Sequence, residues 1–445
     1  MGTTPTGTTT VVNQSNGPQR DPHVSGSFVS YTDQGPFPSR IHLFDLGTGV
    51  DTTIPGSSTE HDFLSDVSGT NVVFTRIFSA RAAIMRYETA SGALSELDPQ
   101  PASDRTGAAI GGGTVAWMDM AFASTSGQPE IVAHDLAGGA STRLTNDAVF
   151  DTEPAVSPGG DVIVWTKCTG PFGNSDCDVY KAVRSGSAWT VSGIPLPGEE
   201  GRPDTDGTII VYDSIRAGEQ GIYWQPVSGG SEQEVTLAGQ QRNPNVSNGL
   251  ISFEHREPTV EGTVSNLDIA LYEVATNTLY RVTDTPEDEY LNDVDFDPVT
   301  RQVRVVFTRT NNATGDDVYA FTFTLPSSAT YTFTGFFSPV NNLPTVNSVN
   351  AGRAVPVKFS LGGDQGLDIF ETGYPRSQQI ACDSTAPVDG IEETVTAGGS
   401  SLSYDPASDQ YTYVWKTDKA WAGTCRQLVL KLDDGSVHRA NFKLK

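Results

Sequence analysis

From near the N-terminus to about residue 325, apolar residues fall in short alternating runs separated by clusters of Gly, Pro, Asn and Asp, a pattern that predicts strands and tight turns. One unit recurs within it. In residues 150–165, FDTEPAVSPGGDVIVW, a polar start leads through Pro154 to a strand ending at Val156-Ser157, and a Pro/Gly turn leads to a β-branched strand closed by Trp165. The closing aromatic returns as Tyr31, Phe74, Trp117, Trp165, Tyr212, Phe253 and Phe307, and the strand behind each carries Ile41, Ile84, Ile131, Val179, Ile222, Ile269 or Val318 in register. Two columns recurring together at intervals of roughly 40 to 50 residues predict an all-β chain whose main part is a propeller, each blade one small antiparallel sheet. Seven copies predict a seven-bladed β-propeller, with six blades as the alternative count.

The seventh copy has strands near Val294, Val303 and Asp317 and then leaves through LPSSAT, so it lacks an outer strand. An open blade edge would expose unpaired N–H and C=O groups, and the β-prone TTTVVNQ of residues 8–14 is the segment expected to close the ring. Turn chemistry separates the two faces of the disc. First-to-second and third-to-fourth connections are short and glycine-rich, as in Ser25-Gly26, Ser68-Gly69 and Gly138-Gly139. The loops at residues 32–39, 118–129, 168–177, 255–266 and 308–316 are longer and varied, and the face they share is where a rigid disc is expected to carry its binding residues. The alternative is that a repeat scaffold tolerates insertions there without using them.

The repeat stops near Ser327-Tyr331, which divides the chain into residues 1–326 and 327–445. Beyond it, alternating segments at residues 331–336, 354–361, 411–415, 428–432 and 437–442 predict a small immunoglobulin-like β-sandwich. The four cysteines divide two and two, Cys168 with Cys177 in the fourth copy and Cys382 with Cys425 in the second region, and predict two disulfides and an oxidising compartment. A four-thiolate metal site would need CxxC-like spacing, which is absent. The net charge of -26 argues against nucleic acid as a partner, and no run of about 18 apolar residues exists to enter a bilayer. The opening MGTTPTGTTT has neither a basic segment nor an apolar stretch, so an exported chain is expected to have lost its signal before this sequence starts.

The repeated Pro-x-Val-Ser motif, clearest at Pro154-Ala155-Val156-Ser157 and Pro244-Asn245-Val246-Ser247, resembles the TolB-like propeller repeat over residues 1–326. Residues from Tyr331 onward resemble the PxKF domain, through Pro356-Val357-Lys358-Phe359 with Ala351-Gly352 before it and Ser360-Leu361-Gly362-Gly363 after it. The first resemblance implies protein contact at the funnel mouth, and the second implies an accessory module at the C-terminus of an exported bacterial protein. Neither brings catalytic residues.

Three kinds of chemistry are weighed on the residues themselves. The first is a ring of charge where each copy begins: Arg20, Asp21, His61, Asp62, Arg105, Asp151, Glu153, Arg202, Arg242, Asn243, Asn292 and Asp293. Arginine forks among acids could grip an acidic sugar or a protein terminus; the alternative is that they pair with one another across blades. The second is calcium, for which Asp284, Glu287, Asp288, Glu289, Asp293, Asp295 and Asp297 supply hard oxygen ligands, although no EF-hand loop is present and an acidic run is usually a solvated face. The third is a metal-assisted lyase or hydrolase acting on a polysaccharide through His23, His61 and His255; the alternative for each is an isolated structural or surface histidine. A GxSxG elbow is absent. A non-catalytic, monomeric, secreted or cell-surface protein that binds a glycan or another protein through its long-loop face is the preferred expectation. A polysaccharide-active enzyme is the alternative.

Overall fold

The structure is a computed structural model that describes residues 4–445 except 36, 101–102, 121–127, 171–175, 195, 259–264, 312, 326–330, 368, 372–373, 383–391 and 394–401. The middles of three long loops and most of the expected junction therefore lie outside the described residues. The chain divides into two compact units, Met1–Leu325 and Pro326–Lys445.

Among the described residues the first unit contains seven four-stranded antiparallel sheets, here blades 1 to 7. Their first strands are Gln19–Ser25, His61–Ser68, Arg105–Gly111, Phe150–Val156, Glu199–Thr205, Gln240–Ser247 and Glu289–Phe296. Each packs on the next, and the last packs on the first, so the ring is closed. The two sequence columns are the two halves of one joint. In every case the aliphatic residue of one blade shares a core with the aromatic of the following blade: Ile41 with Phe74, Ile84 with Trp117, Ile131 with Trp165, Val179 with Tyr212, Ile222 with Phe253, Ile269 with Phe307, and Val318 with Tyr31. All fourteen side chains are buried. Each joint thus removes one large aromatic from water, worth about 2 to 3 kcal/mol, which explains why the columns repeat while the loops do not.

Closure by the N-terminal segment is as expected. Gly7–Asn13 runs antiparallel to Gly315–Thr324, from Gly7 opposite Phe323 to Asn13 opposite Val318, and forms the outer strand of blade 7. Its Val12 enters the core shared by Val24, Tyr31 and Val318.

The second unit is a two-sheet sandwich. One sheet is ordered Thr334–Phe337, Ala354–Ser360, Gln410–Lys416, Leu402–Asp405; the other is ordered Val346–Val349, Val437–Leu444, Cys425–Lys431, Arg376–Ile380, Glu392–Glu393. Val357, Phe359, Tyr413 and Trp415 from the first face Leu428, Leu430, Ala440 and Phe442 from the second. Val346–Val349 pairs in parallel with Val437–Leu444. Both cysteine pairs are bonded, Cys168 to Cys177 and Cys382 to Cys425, each within one unit.

Deleting residues 1–14 should destabilise the first unit by roughly 3 to 6 kcal/mol, the scale of several net backbone hydrogen bonds left unmade along Gly315–Thr324. Thermal unfolding of the truncated chain checks this, and an unchanged midpoint refutes it. Removing Cys382–Cys425, which closes a separation of 43 residues, should cost more than removing Cys168–Cys177, which closes 9. Chain-entropy estimates are about 4 against about 2.5 kcal/mol, to be read by denaturant unfolding of the two Cys→Ser pairs.

Candidate binding site at the channel mouth

The first strands surround an axial cavity of about 680 Å³. Each of them carries a β-bulge at the same place, where the pairing with the second strand slips. The residue on the bulge has left-handed backbone: Asp21, Leu64, Gly107, Glu153, Arg202, Asn243 and Leu291, with φ between 48° and 62°. Six of the seven are not glycine, and each such residue costs about 1 to 2 kcal/mol in that conformation. The bulge N–H provides compensation at four joints. Gly107 donates to Thr75 Oγ1 (3.2 Å), Arg202 to Thr166 Oγ1 (3.2 Å), Asn243 to Asp213 Oδ2 (3.1 Å) and Leu291 to Glu254 Oε1 (2.9 Å), each acceptor belonging to the preceding blade.

Two residues after the bulge, His23, Asp66, Ala109, Ala155, Asp204, Asn245 and Asp293 line the cavity. Three of these acids tie one blade to the next: Ile110 N–H donates to Asp66 (2.7 Å), Val246 N–H to Asp204 (2.7 Å) and Val24 N–H to Asp293 (2.8 Å). Burial pushes Asp66 up to about 6 despite the pull of His23, and pushes Asp204 up to about 7 despite the Val246 N–H, with Asp293 and Asp66 adding to the rise. Near the blunt face the same device continues with Gly249 N–H on Asp206 (2.8 Å) and Phe296 N–H on Ser247 Oγ (3.0 Å). Gly111 stands in that row in blade 3 because the carbonyl oxygen of Ser157 lies 1.9 Å from where a Cβ would sit.

The expected ring of charge does not lie in one layer. Asp62, Arg105 and Asp151 belong to a buried polar column, Gln19, Asp62, Arg105, Asp151, Glu200, Gln241 and Glu289, that faces Asp33, Arg76, Asp119, Lys167, Ser214, His255 and Arg309 across the first pair of strands. Arg76 binds both Asp62 oxygens (2.7 and 2.9 Å), Arg105 meets Asp119 (2.9 Å) and lies over Trp117, and Asp151 accepts from Trp165 Nε1 (2.7 Å) and Lys167 (3.1 Å). These pairs form within a blade, where the sequence reading had set pairing across blades against ligand binding. Asn292 is also buried, its amide donating to the Asn243 carbonyl (3.0 Å). Pairing across blades does occur at Arg20, whose Nε donates to Asp316 of blade 7 (2.6 Å).

The remaining residues reach the mouth. Arg202 meets Asp213 (2.6 Å), Asn243 donates to Glu254 (2.5 Å), and Glu153 is exposed beside the Arg202 N–H (3.3 Å). Arg242 donates through Nε to buried Glu254 (2.6 Å), and its side chain is 42% exposed. His61 packs edge-on against Phe37, which is 82% exposed at the tip of the blade 1 loop, and Leu64 on the blade 2 bulge is an exposed aliphatic. The long-loop face therefore carries an aromatic and aliphatic arc over blades 1 and 2 and a guanidinium arc over blades 5 and 6.

The residues weighed as metal ligands separate. His23 lies in the channel, His61 lies against Phe37, and His255 is buried with Nε2 on the Ala238 carbonyl (2.9 Å). Asp284 pairs with Arg281 (2.9 Å), Asp288 accepts from Leu267 N–H (2.7 Å), Asp295 pairs with Arg304 (2.9 Å) and Asp297 accepts from Val299 N–H (2.8 Å). Among the described residues no group of three or more His, Cys, Asp or Glu side chains is arranged to hold a metal ion. Sequence reasoning passed over Asp66 and Asp204, and did not assign His23 to the channel wall. The signal available was the position just before Val-Ser-Gly or its equivalent, as in His23-Val24-Ser25-Gly26 and Asp66-Val67-Ser68-Gly69.

Together the fold and the mouth define a β-propeller with a closed ring and an axial channel. No family model matches the sequence, and no curated protein matches it. Solved structures do. An oligogalacturonate lyase in complex with manganese is 15% identical over 73% of this chain and 95% of its own, with a TM-score of 0.52. The propeller domain of the trilobed protease from Pyrococcus furiosus, described as having an open velcro topology, is 11% identical over 69% and 94%, also at 0.52. An acylaminoacyl peptidase from Pyrococcus horikoshii is 11% identical over 77% of this chain and 57% of its own, at 0.52. Identities this low speak for the fold alone.

Asp62→Asn should cost about 3 to 5 kcal/mol by removing the buried carboxylate that Arg76 binds through two hydrogen bonds, whereas Arg242→Ala should cost less, about 1 to 2 kcal/mol, because Arg242 is half exposed and buried Glu254 keeps the Asn243 amide and the Leu291 N–H. Denaturant unfolding of the two variants separates a scaffold residue from a mouth residue. Equal effects would refute the distinction.

Proposed function

We propose that this protein acts outside the cytoplasm as a non-catalytic binding or scaffold protein whose long-loop face recognises a glycan or another protein. The observation that carries this reading is the state of Arg242, next in sequence to Asn243 of the channel lining: one edge of its guanidinium is fixed by a buried carboxylate while its side chain is 42% exposed. A pre-oriented fork of that kind suits a carboxylate on an acidic sugar or at a protein terminus, at little further cost in side-chain ordering. Phe37, exposed and supported by His61, supplies the flat apolar surface that a sugar ring or an aliphatic side chain can cover. The perturbed acids of the channel accept backbone N–H groups and are thereby committed to holding blades together, which favours binding over catalysis. Two disulfides, one per unit, support an oxidising compartment. The resemblance of the second unit to PxKF domains makes it an accessory module in this reading, and the chain acts as a monomer.

A glycan array and a binding screen against extracellular proteins, run with the wild type and a Phe37→Ala, Arg242→Ala double variant, test the site. Both residues are at the surface, so the variant should fold normally and lose at least about tenfold in affinity for the ligand found. Binding unchanged by the double substitution would move the contact surface away from the mouth.

A further inference from the structure

We propose that blade 1 is the protonation-controlled segment of the ring: a charged His23 ties the carboxylates of blades 7 and 2 across it, and loss of that proton loosens both of its joints. The geometry is specific to this blade. His23 Nδ1 lies 3.6 Å from Asp293 of blade 7 and 3.8 Å from Asp66 of blade 2, and Nε2 lies 3.8 Å from Asp21 on its own strand. Those are the charged groups facing it from the three strands packed there, all of them acidic. Asp204 and Asp295, farther along the channel wall, add to the field on Asp66 and Asp293.

The same joints lack a tie that others have. Thr75, Thr166, Asp213 and Glu254 each receive the bulge N–H of the following blade. The equivalent hydroxyls on either side of blade 1, Thr308 and Thr32, are buried and have no hydrogen-bond partner among the described residues. At the level of the bulges, blade 1 therefore lacks on both sides the tie that blades 5 and 6 have on both sides, and its contacts with its neighbours there include the Arg20–Asp316 pair and the charge cluster of His23. Asp293 also accepts the Val24 N–H, so the residue that meets His23 is the residue that fastens blade 7 to blade 1. Without a proton on His23, three carboxylates would face one another with no counter-charge, and that repulsion falls on the joint that closes the ring.

Burial alone would lower the imidazole, but the carboxylates of Asp21, Asp293 and Asp66 around it outweigh that and hold His23 well above 6.5. A raised value means stabilisation that is complete below 6.5 and is lost as pH rises through the folded-state value. Asp66 and Asp204 are raised as well, to about 6 and about 7, so their contribution is lost in a lower window that begins near 3.8. The acids' window closes at about 7, so the range above it reports His23.

Amide hydrogen exchange, corrected for intrinsic rates, supplies the test, with Val24 and Gly69 reporting the two joints of blade 1 and Leu291, which donates to Glu254, as the control. In the wild type, protection of Val24 and Gly69 relative to Leu291 should fall by on the order of tenfold between about pH 7 and about pH 9.5, the scale of one charge-assisted hydrogen bond. In His23→Gln the ratio should already be low and should not change with pH. A pH-independent ratio in the wild type, or a variant that matches it, overturns the proposal. If His23→Gln does not fold, NMR titration of the His23 ring in the wild type decides, since a midpoint at or below 6.5 is equally fatal.

Discussion

Seven strands converge on one axis here, and the inner edge of each faces no partner strand. Backbone N–H groups along those edges must still find acceptors, because a buried orphan donor costs about 1 to 3 kcal/mol. The solution is a set of acceptor side chains reaching from one blade to the backbone of the next: Asp66, Asp204 and Asp293 in the channel, Ser247 and Asp206 near the blunt face, and Thr75, Thr166, Asp213 and Glu254 near the mouth. Carboxylates are strong acceptors with no donor of their own to place, so they recur in this role. The acidic lining of the channel is to that extent a consequence of closing the ring and does not by itself signal a cationic ligand.

The bulges follow from the same need. By turning one residue of each first strand into left-handed backbone, they aim an N–H at the preceding blade and a side chain at the mouth. The N–H of that residue makes the tie, so its side chain is less constrained, although Glu153 also lends its carboxylate to the Arg202 N–H of the next blade. Asp21, Leu64, Gly107, Glu153, Arg202, Asn243 and Leu291 have little chemistry in common, unlike the aromatic and aliphatic columns a few ångströms away. A propeller built this way separates what holds it from what it presents. Arg242 and Phe37, next to that ring, belong to what it presents.

The fold was legible because each column is half of a repeated apolar joint, and Ile84 with Trp117 or Val318 with Tyr31 can be read as periodic without any knowledge of the partner. The candidate site was less legible. Its residues had been gathered by charge, and charge does not report register: Asp62 opens the buried column, Arg242 comes one position later, Arg202 sits on the bulge, and Asp293 is two positions beyond the bulge. A bulge inserts one residue without any apolar mark, so the slip that separates mouth from channel leaves no periodic trace. In the second unit, two strands outside the expected segments, Val346–Val349 and Arg376–Ile380, have amides at buried positions, whereas Leu402–Asp405 has no buried position at all. Gln378 donates to Gln427 (3.0 Å), Gln427 to Asn441 (3.0 Å) and Asn347 to the Asn441 carbonyl (3.2 Å), a polar row where alternation would look for apolar residues.

The division between scaffold and surface also bears on how the channel's perturbed groups should be understood. Acids pushed to about 6 and about 7 in a cavity would ordinarily mark a reactive centre. Each oxygen of Asp66, however, already accepts a backbone N–H, Val67 on one and Ile110 on the other, so a structural role accounts for the carboxylate's placement. Asp293 is engaged in the same way by Val294 and Val24. Perturbation here measures the cost of placing charge where the backbone requires an acceptor. His23 offsets part of that cost on one side of the ring, where it faces Asp21, Asp66 and Asp293 at the joint between the last blade and the first.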